Sequence, residues 1–206
     1  MKTWLQPLAA LALSLLIGPA GAQTPSTPAA AGQTATAIFA GGCFWCVEED
    51  FEKLPGVIAA ESGYTGGKTA NPTYQTVSAG GTGHTEAVRL TYDPRIVSYP
   101  VLLDFFWRHI DPTVKDRQFC DVGDQYRSAI FYKNAAQKDQ VEASKAALLK
   151  SGALKEIYTE IAPESAFYPA EDYHQDYGKK NPLRYKYYRL TCGRDSRVAE
   201  VWGTKP

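Results

Sequence analysis

The sequence predicts an α+β fold, a two-layer sandwich in which helices pack on one β-sheet. Three observations lead there. Five short runs have strand character, either continuous apolar stretches or period-2 alternation. Between them lie runs whose apolar residues recur at helical spacing. Glycine, proline and Asp-Pro punctuation separates the two kinds of run.

Thr36 to Ala40 is apolar and short enough for a buried strand, and Gly41-Gly42 ends it. Phe44 to Leu54 places Phe44, Val47, Phe51 and Leu54 on one helical face, with Pro55-Gly56 as the stop. Val57 to Tyr64 is a second strand, closed by Thr65-Gly66-Gly67. Asn71-Pro72-Thr73-Tyr74 starts a turn or short helix, and Ser78 to Gly83 is a glycine-rich loop expected to approach a ligand or another backbone closely. Glu86 to Tyr92 alternates as a strand and ends at Asp93-Pro94. Ser98 caps a helix over Tyr99 to His109 with Leu102, Leu103, Phe106 and Trp107 inward. Asp111 to Tyr126 is a long polar loop. Ser128 to Tyr132 is a strand, Ala135 to Lys150 a helix, and Ile157 to Ile161 a fifth strand. The remainder is rich in Pro, Tyr and Asp, with a short helix expected at Asp172 to Lys180.

The chain has 206 residues, with Lys+Arg and Asp+Glu both at 22. That balance supplies no field for nucleic acid. Residues 1–22 read as a secretory signal: Lys2, an apolar stretch from Leu8 to Ile17, then Ala20-Gly21-Ala22. The apolar stretch is short for a membrane span, so no stable insertion is expected after cleavage. Residues 23–35 are Ala, Thr, Pro, Gly, Gln and Ser, a flexible linker. One folded domain is therefore expected over residues 36–206, as an exported, periplasmic protein.

Four cysteines, Cys43, Cys46, Cys120 and Cys192, are compatible with two structural disulfides or with redox chemistry. Cys43 is the sharpest of them. It follows two glycines, precedes Phe44 and Trp45, and falls at the first turn of the first helix. Unpaired amides and the helix dipole there are expected to lower its pKa and make it a nucleophile. The glycines are expected to admit a substrate, and the aromatics to wall it.

Further segments carry polar groups that a plain fold does not need. They are Gly83-His84-Thr85-Glu86-Ala87-Val88, Asp121 to Ser128, and Asp172-Tyr173-His174-Gln175-Asp176-Tyr177. The first of these, together with Gly42-Cys43-Phe44-Trp45, Gly63-Tyr64-Thr65-Gly66-Gly67, Asn71-Pro72-Thr73-Tyr74 and Gln125-Tyr126-Arg127-Ser128-Ala129-Ile130, makes the chain resemble the A-type peptide methionine sulfoxide reductases. The resemblance spans nearly all of residues 36–206. It implies a ferredoxin-like sandwich with the reactive cysteine at the start of the first helix. It also implies that Cys43 attacks the sulfoxide sulfur and that Phe44 and Trp45 hold the S-methyl group. Glu86, Tyr74 and Tyr126 would surround the oxygen, with Asp121 supporting the site. The implied substrate is methionine S-sulfoxide, free or in proteins, reduced with no cofactor by a monomer that a thioredoxin-like protein recycles.

Chemistry agrees with these roles. A sulfoxide oxygen leaves only when protonated, so an acid must face the nucleophile. A buried carboxyl group among tyrosines has the raised pKa this requires. The product, a Cys43 sulfenic acid, needs a second thiol. Cys192 ranks first as that resolving cysteine, Cys46 second and Cys120 third; the sequence leaves the choice open. Two other readings are kept beside this one. One is a thiol–disulfide oxidoreductase using Cys43-x-x-Cys46, and the other a zinc module holding the metal with the four cysteines.

Overall fold

In a computed structural model, residues 34–203 are described, together with the isolated Met1 and Gly32. The expected signal and most of the expected linker lie outside the described residues. Strand β1 (Ala35–Gly41) leads into helix α1 (Phe44–Glu52), and β2 (Val57–Thr65) returns alongside. After a short helix α2 (Tyr74–Ser78) come β3 (Thr85–Tyr92) and α3 (Tyr99–Arg108). The expected polar loop holds two short strands, β4 (Arg117–Gln118) and β5 (Asp121–Val122), and a 3-10 turn at Asp124–Tyr126. Strand β6 (Ser128–Tyr132), α4 (Ala135–Lys150), β7 (Glu160–Pro163) and β8 (Tyr168–Pro169) follow. The chain ends in three helices, α5 (Tyr177–Lys180), α6 (Pro182–Thr191) and α7 (Arg194–Trp202).

The main sheet has the order β7-β6-β1-β3-β2-β8. Its centre, β6-β1-β3-β2, is antiparallel at each pairing, so β1 and β2 run parallel and are joined through α1. This is the split βαβ arrangement of a ferredoxin-like sandwich, as expected. β7 adds a parallel strand at one edge and β8 an antiparallel one at the other.

Period-2 alternation divides the sheet into two faces. Phe39, Val88, Leu90 and Tyr92 face the helices, where Phe44, Val47, Phe51, Leu102, Phe106 and Trp107 complete the main core. Ile38, Ala40, Ala87, Ala129 and Phe131 form a smaller cluster on the other face, partly covered by Phe167. Glu86 shares the parity of Val88 and Leu90. It therefore points to the helix side, opposite Tyr64 in the β2–β3 register.

Several expected boundaries move, each for a local reason. Helix α1 stops at Glu52 rather than Leu54, because Pro55 disfavours helical geometry in the residue before it. The fifth strand begins at Glu160, not Ile157: the Tyr158 amide donates to the Pro112 carbonyl (2.8 Å) instead of to the sheet. The helix expected from Asp172 starts only at Tyr177, because Asp176 takes a left-handed conformation (φ 53°). Helices α6 and α7 were not expected. Pro182 opens α6 at a position where its missing amide costs nothing, and Gly193 (φ 70°) divides the two. Among the described residues, no helix is long and apolar enough to cross a membrane.

Candidate active site

Cys43 is the N-cap of α1, at the C-terminal end of β1. Gly42 before it has φ 83°, which lets the chain turn sharply from strand to helix. A Cβ at Gly42 would lie 2.5 Å from the Gln118 side chain. The space freed by this glycine is thus filled by Gln118 rather than by substrate, a correction to the expectation above. Gln118 is itself clamped: its Nε2 donates to the Asp111 carbonyl (2.6 Å), and its Oε1 accepts from the Asp111 amide (2.9 Å). The β4–β5 loop is in this way fastened beneath the start of α1. The other glycine loop, Ser78 to Gly83, has open space around Gly80 and Gly81.

A small cleft of about 70 Å³ opens at this point. Cys43, Phe44, Trp45, Tyr74, Glu86, Asp121 and Tyr126 all line it, joined by Tyr188 from α6. Seven residues singled out in the sequence thus come together. Tyr188 was missed because its helix was missed; its only signal is that it stands one helical turn before Cys192.

Glu86 is 3 % exposed and accepts a hydrogen bond from the Phe44 amide at 3.0 Å. Burial pushes its pKa up to about 8, with the charges of Asp121 and Cys46 adding to the rise against the opposing Phe44 hydrogen bond. Glu86 therefore carries a proton at neutral pH. Burial likewise raises Tyr74 and Tyr126, with the Glu86 charge acting in the same direction, so both remain phenols. Burial also raises Asp121, whose Oδ2 accepts from the Tyr188 hydroxyl at 2.6 Å.

The two inner cysteines depart from expectation. Burial raises Cys43 well above the usual thiol range, and Cys46 beside it adds to that. Cys46 is the one lowered, first by a hydrogen bond from Cys43 and then by Arg194 and Arg189. The reason is geometric. The first amide of α1 is spent on Glu86, and the positive charge comes instead from the terminal helices to Cys46. Arg189 reaches Asp50 of α1 (2.8 Å), and Arg194 donates to the Gly41 carbonyl (3.0 Å) from a buried position. Of the two, Cys46 is thus the thiol shifted downward and Cys43 the one shifted upward.

Cys120 and Cys192 are joined in a disulfide. Cys120 is exposed and Cys192 half-buried. The Cys192 sulfur lies 4.0 Å from both Asp121 Oδ2 and the Tyr188 hydroxyl, so the disulfide borders the cleft. The four-cysteine ligand set of the zinc reading is thereby divided, since two of its thiolates are consumed.

Trp45 is fixed from the C-terminal segment. Its Nε1 donates to His174 Nδ1 (3.0 Å), and its ring stacks on Tyr177 at 3.7 Å. Burial lowers the His174 pKa, keeping the imidazole neutral and able to accept. His84 has a structural duty, receiving the Gly67 amide on Nδ1 (3.2 Å) and bonding the Thr69 carbonyl through Nε2 (2.8 Å).

Comparison with known proteins adds four findings. A family profile described as peptide methionine sulfoxide reductase matches residues 35–206. The peptide methionine sulfoxide reductase MsrA 2 of Caulobacter vibrioides is 50 % identical over 200 residues, covering 95 % of this chain and 96 % of the relative. The MsrA of Bacillus licheniformis is 51 % identical over 170 residues, covering 82 % and 94 % respectively. Among solved structures, methionine sulfoxide reductase A of Corynebacterium diphtheriae is 38 % identical with a TM-score of 0.69, covering 74 % of this chain and 78 % of that one.

Proposed function

The chain belongs to the peptide methionine sulfoxide reductase family, and from that premise we propose how its residues perform the reaction. It is a thiol-dependent oxidoreductase that returns methionine sulfoxide, free or in proteins, to methionine. The resemblance to the A-type reductases implies the S epimer as substrate. The single observation that carries the reading is that the buried carboxyl group of Glu86, its pKa pushed up by burial, and Cys43 line one small cleft.

The sulfoxide enters with its methyl group against Phe44 and Trp45 and its oxygen toward Glu86, Tyr74 and Tyr126. Cys43 passes its proton to Cys46 and attacks the sulfoxide sulfur. Glu86 protonates the oxygen as the S–O bond weakens, and the two phenols donate hydrogen bonds to the developing charge. The Phe44 amide holds one Glu86 oxygen, leaving the other to carry the proton into the cleft. The hydroxyl then passes from the methionine sulfur to the Cys43 sulfur as the S–S bond between them breaks, so methionine departs and Cys43 is left as a sulfenic acid. Solvent returns the proton that Glu86 has lost.

Cys46 is the resolving thiol. It attacks the Cys43 sulfur, forms the Cys43–Cys46 disulfide and expels water. The disulfide of Cys120 with Cys192 favours Cys46 over the first-ranked Cys192. The outer pair then serves recycling. Reduced by a dithiol protein of thioredoxin type, it passes two electrons inward through two thiol–disulfide exchanges. One outer thiolate attacks the inner disulfide and frees an inner thiolate. Its partner attacks the resulting mixed disulfide, which frees the second inner thiolate and closes Cys120–Cys192. Inner thiols free and outer pair closed, as seen here, is the product state of that exchange. The amino-terminal export pattern supports a periplasmic workplace, hence an exported donor, and the enzyme acts as a monomer.

Single-turnover kinetics test the chemical step. Cys43→Ser should form no methionine. Glu86→Gln should slow formation about 10²-fold. Turnover by Cys43→Ser, or an unchanged rate in Glu86→Gln, would overturn these roles. A simple thiol–disulfide oxidoreductase has no use for Glu86. Reduction of protein disulfides without action on methionine sulfoxide would favour that reading instead.

A further inference from the structure

A second concavity, of about 480 Å³, continues from the reaction cleft and shares Trp45, Tyr74 and Tyr188 with it. Its outer part is lined by Tyr173, His174, Tyr177, Arg184 and Tyr187, from the segment before α5 and from α5 and α6. The reaction cleft takes a sulfinyl group and a methyl group; this groove is several times larger and has nothing to do in the chemical step.

We propose that the groove seats the polypeptide segment flanking an oxidised methionine, and that Arg184 favours an acidic residue in that segment. The inference rests on the reductase reading above. Continuity is the first argument: a methionine side chain reaching Cys43 past Trp45 and Tyr74 must leave its backbone over this surface. The second is composition. Tyr173 and Tyr187, 53 % and 71 % exposed, line the groove together with Tyr74, Tyr177 and Tyr188, so the exposed ring area is gathered at one place rather than scattered. Aromatic faces bind extended chains of varied sequence, because they offer rigid apolar area with a polar tip. The third is charge. Arg184 is the sole charged residue lining the groove, is exposed, and makes no hydrogen bond or salt bridge among the described residues. A fourth observation is His174, 2 % exposed, whose Nδ1 is taken by Trp45 while its Nε2 has no partner in the described chain. The rings of Tyr173 and Tyr74 close over this histidine at 4.2 and 4.4 Å. A shift of those rings gives its N–H to a carbonyl of the bound segment.

The test compares kcat/KM for three substrates: free methionine S-sulfoxide, a short peptide with glutamate beside the oxidised methionine, and the same peptide with glutamine there. Wild type should use the glutamate peptide at least about 10-fold better than the free amino acid, with most of the gain in KM. Tyr187→Ala should lower kcat/KM about 5-fold for both peptides and leave free methionine sulfoxide unchanged. Arg184→Gln should erase the glutamate-over-glutamine preference, about 3–5-fold, again without effect on the free substrate. The proposal is overturned if wild type treats peptide and free substrate alike, or if both variants keep the wild-type ratios while reducing free methionine sulfoxide normally. Failure of wild type to reduce free or peptide sulfoxide would instead sink the reductase reading on which the groove rests.

Discussion

The two sulfur pairs of this chain differ in nearly every physical respect. Cys43 and Cys46 are 7 % and 2 % exposed, sit three residues apart at the start of one helix, and remain thiols. Cys120 and Cys192 are 72 residues apart, lie at the rim with Cys120 in solvent, and are bonded to each other. The inner pair is surrounded by a protonated carboxyl group, phenols and two arginines. The outer pair lies beside the Asp121–Tyr188 hydrogen bond at the edge of the cleft. Reduction of a sulfoxide needs a dry site where Glu86 holds its proton, whereas a protein reductant needs a sulfur it can reach. One thiol pair cannot have both surroundings, and this fold divides the work between two.

The sharpest way to break the contrast is to remove the inner partner. Cys46→Ser should still form methionine once, but its turnover with a thioredoxin-type donor should fall by about 10² or more, with a trapped Cys43 sulfenic acid detectable by a sulfenate-specific reagent. Normal turnover in Cys46→Ser would hand resolution to Cys192. Removing the outer pair should be milder. A fully reduced wild-type chain holds two dithiols, so without any donor it should yield two methionines; Cys120→Ser should yield one. A yield of one from wild type would make Cys120–Cys192 a structural bridge.

A smaller effect concerns proton supply to the inner site alone. The Glu86 pKa, about 8, stands above the ordinary carboxyl range. Its acid form is therefore present at neutral pH and lost as pH rises through about 8. The single-turnover rate should decline above that pH, about tenfold per unit, and Glu86→Gln should lack the decline. Exchange at the outer pair, followed by the change in intrinsic tryptophan fluorescence or by thiol trapping, should show no such descending limb.

The inner region was far more legible in the sequence than the outer. Gly41-Gly42-Cys43-Phe44-Trp45 between an apolar strand and an amphipathic helix predicts the helix-start cysteine, and the alternation through Glu86 to Tyr92 predicts the strand that, in the structure, turns Glu86 to the helix side of the sheet. The motifs of the resemblance added Tyr74, Tyr126 and Asp121, and all of them line the cleft. The outer region depends on α6 and α7. Their Tyr-, Arg- and Lys-rich sequences bury little beyond Tyr185, Arg194 and Val198, so no broad apolar stripe marks them as helices. With α6 unread, the placement of Tyr188 and Cys192 on one helix face was out of reach, and cysteines 72 residues apart carry no local sign of their pairing. The lowered pKa expected at Cys43 fell instead on Cys46. The arginines responsible come from those same helices, and the amide expected to serve the sulfur serves Glu86.

Disulfide mapping by mass spectrometry tests the division of labour most directly: the fully reduced chain is given one equivalent of methionine S-sulfoxide, with no donor, and quenched by alkylation after equilibration. The account predicts Cys120–Cys192 as the dominant disulfide, with Cys43 and Cys46 alkylated as free thiols. A dominant Cys43–Cys192 bond, or a Cys43–Cys46 bond persisting beside reduced Cys120 and Cys192, would contradict it.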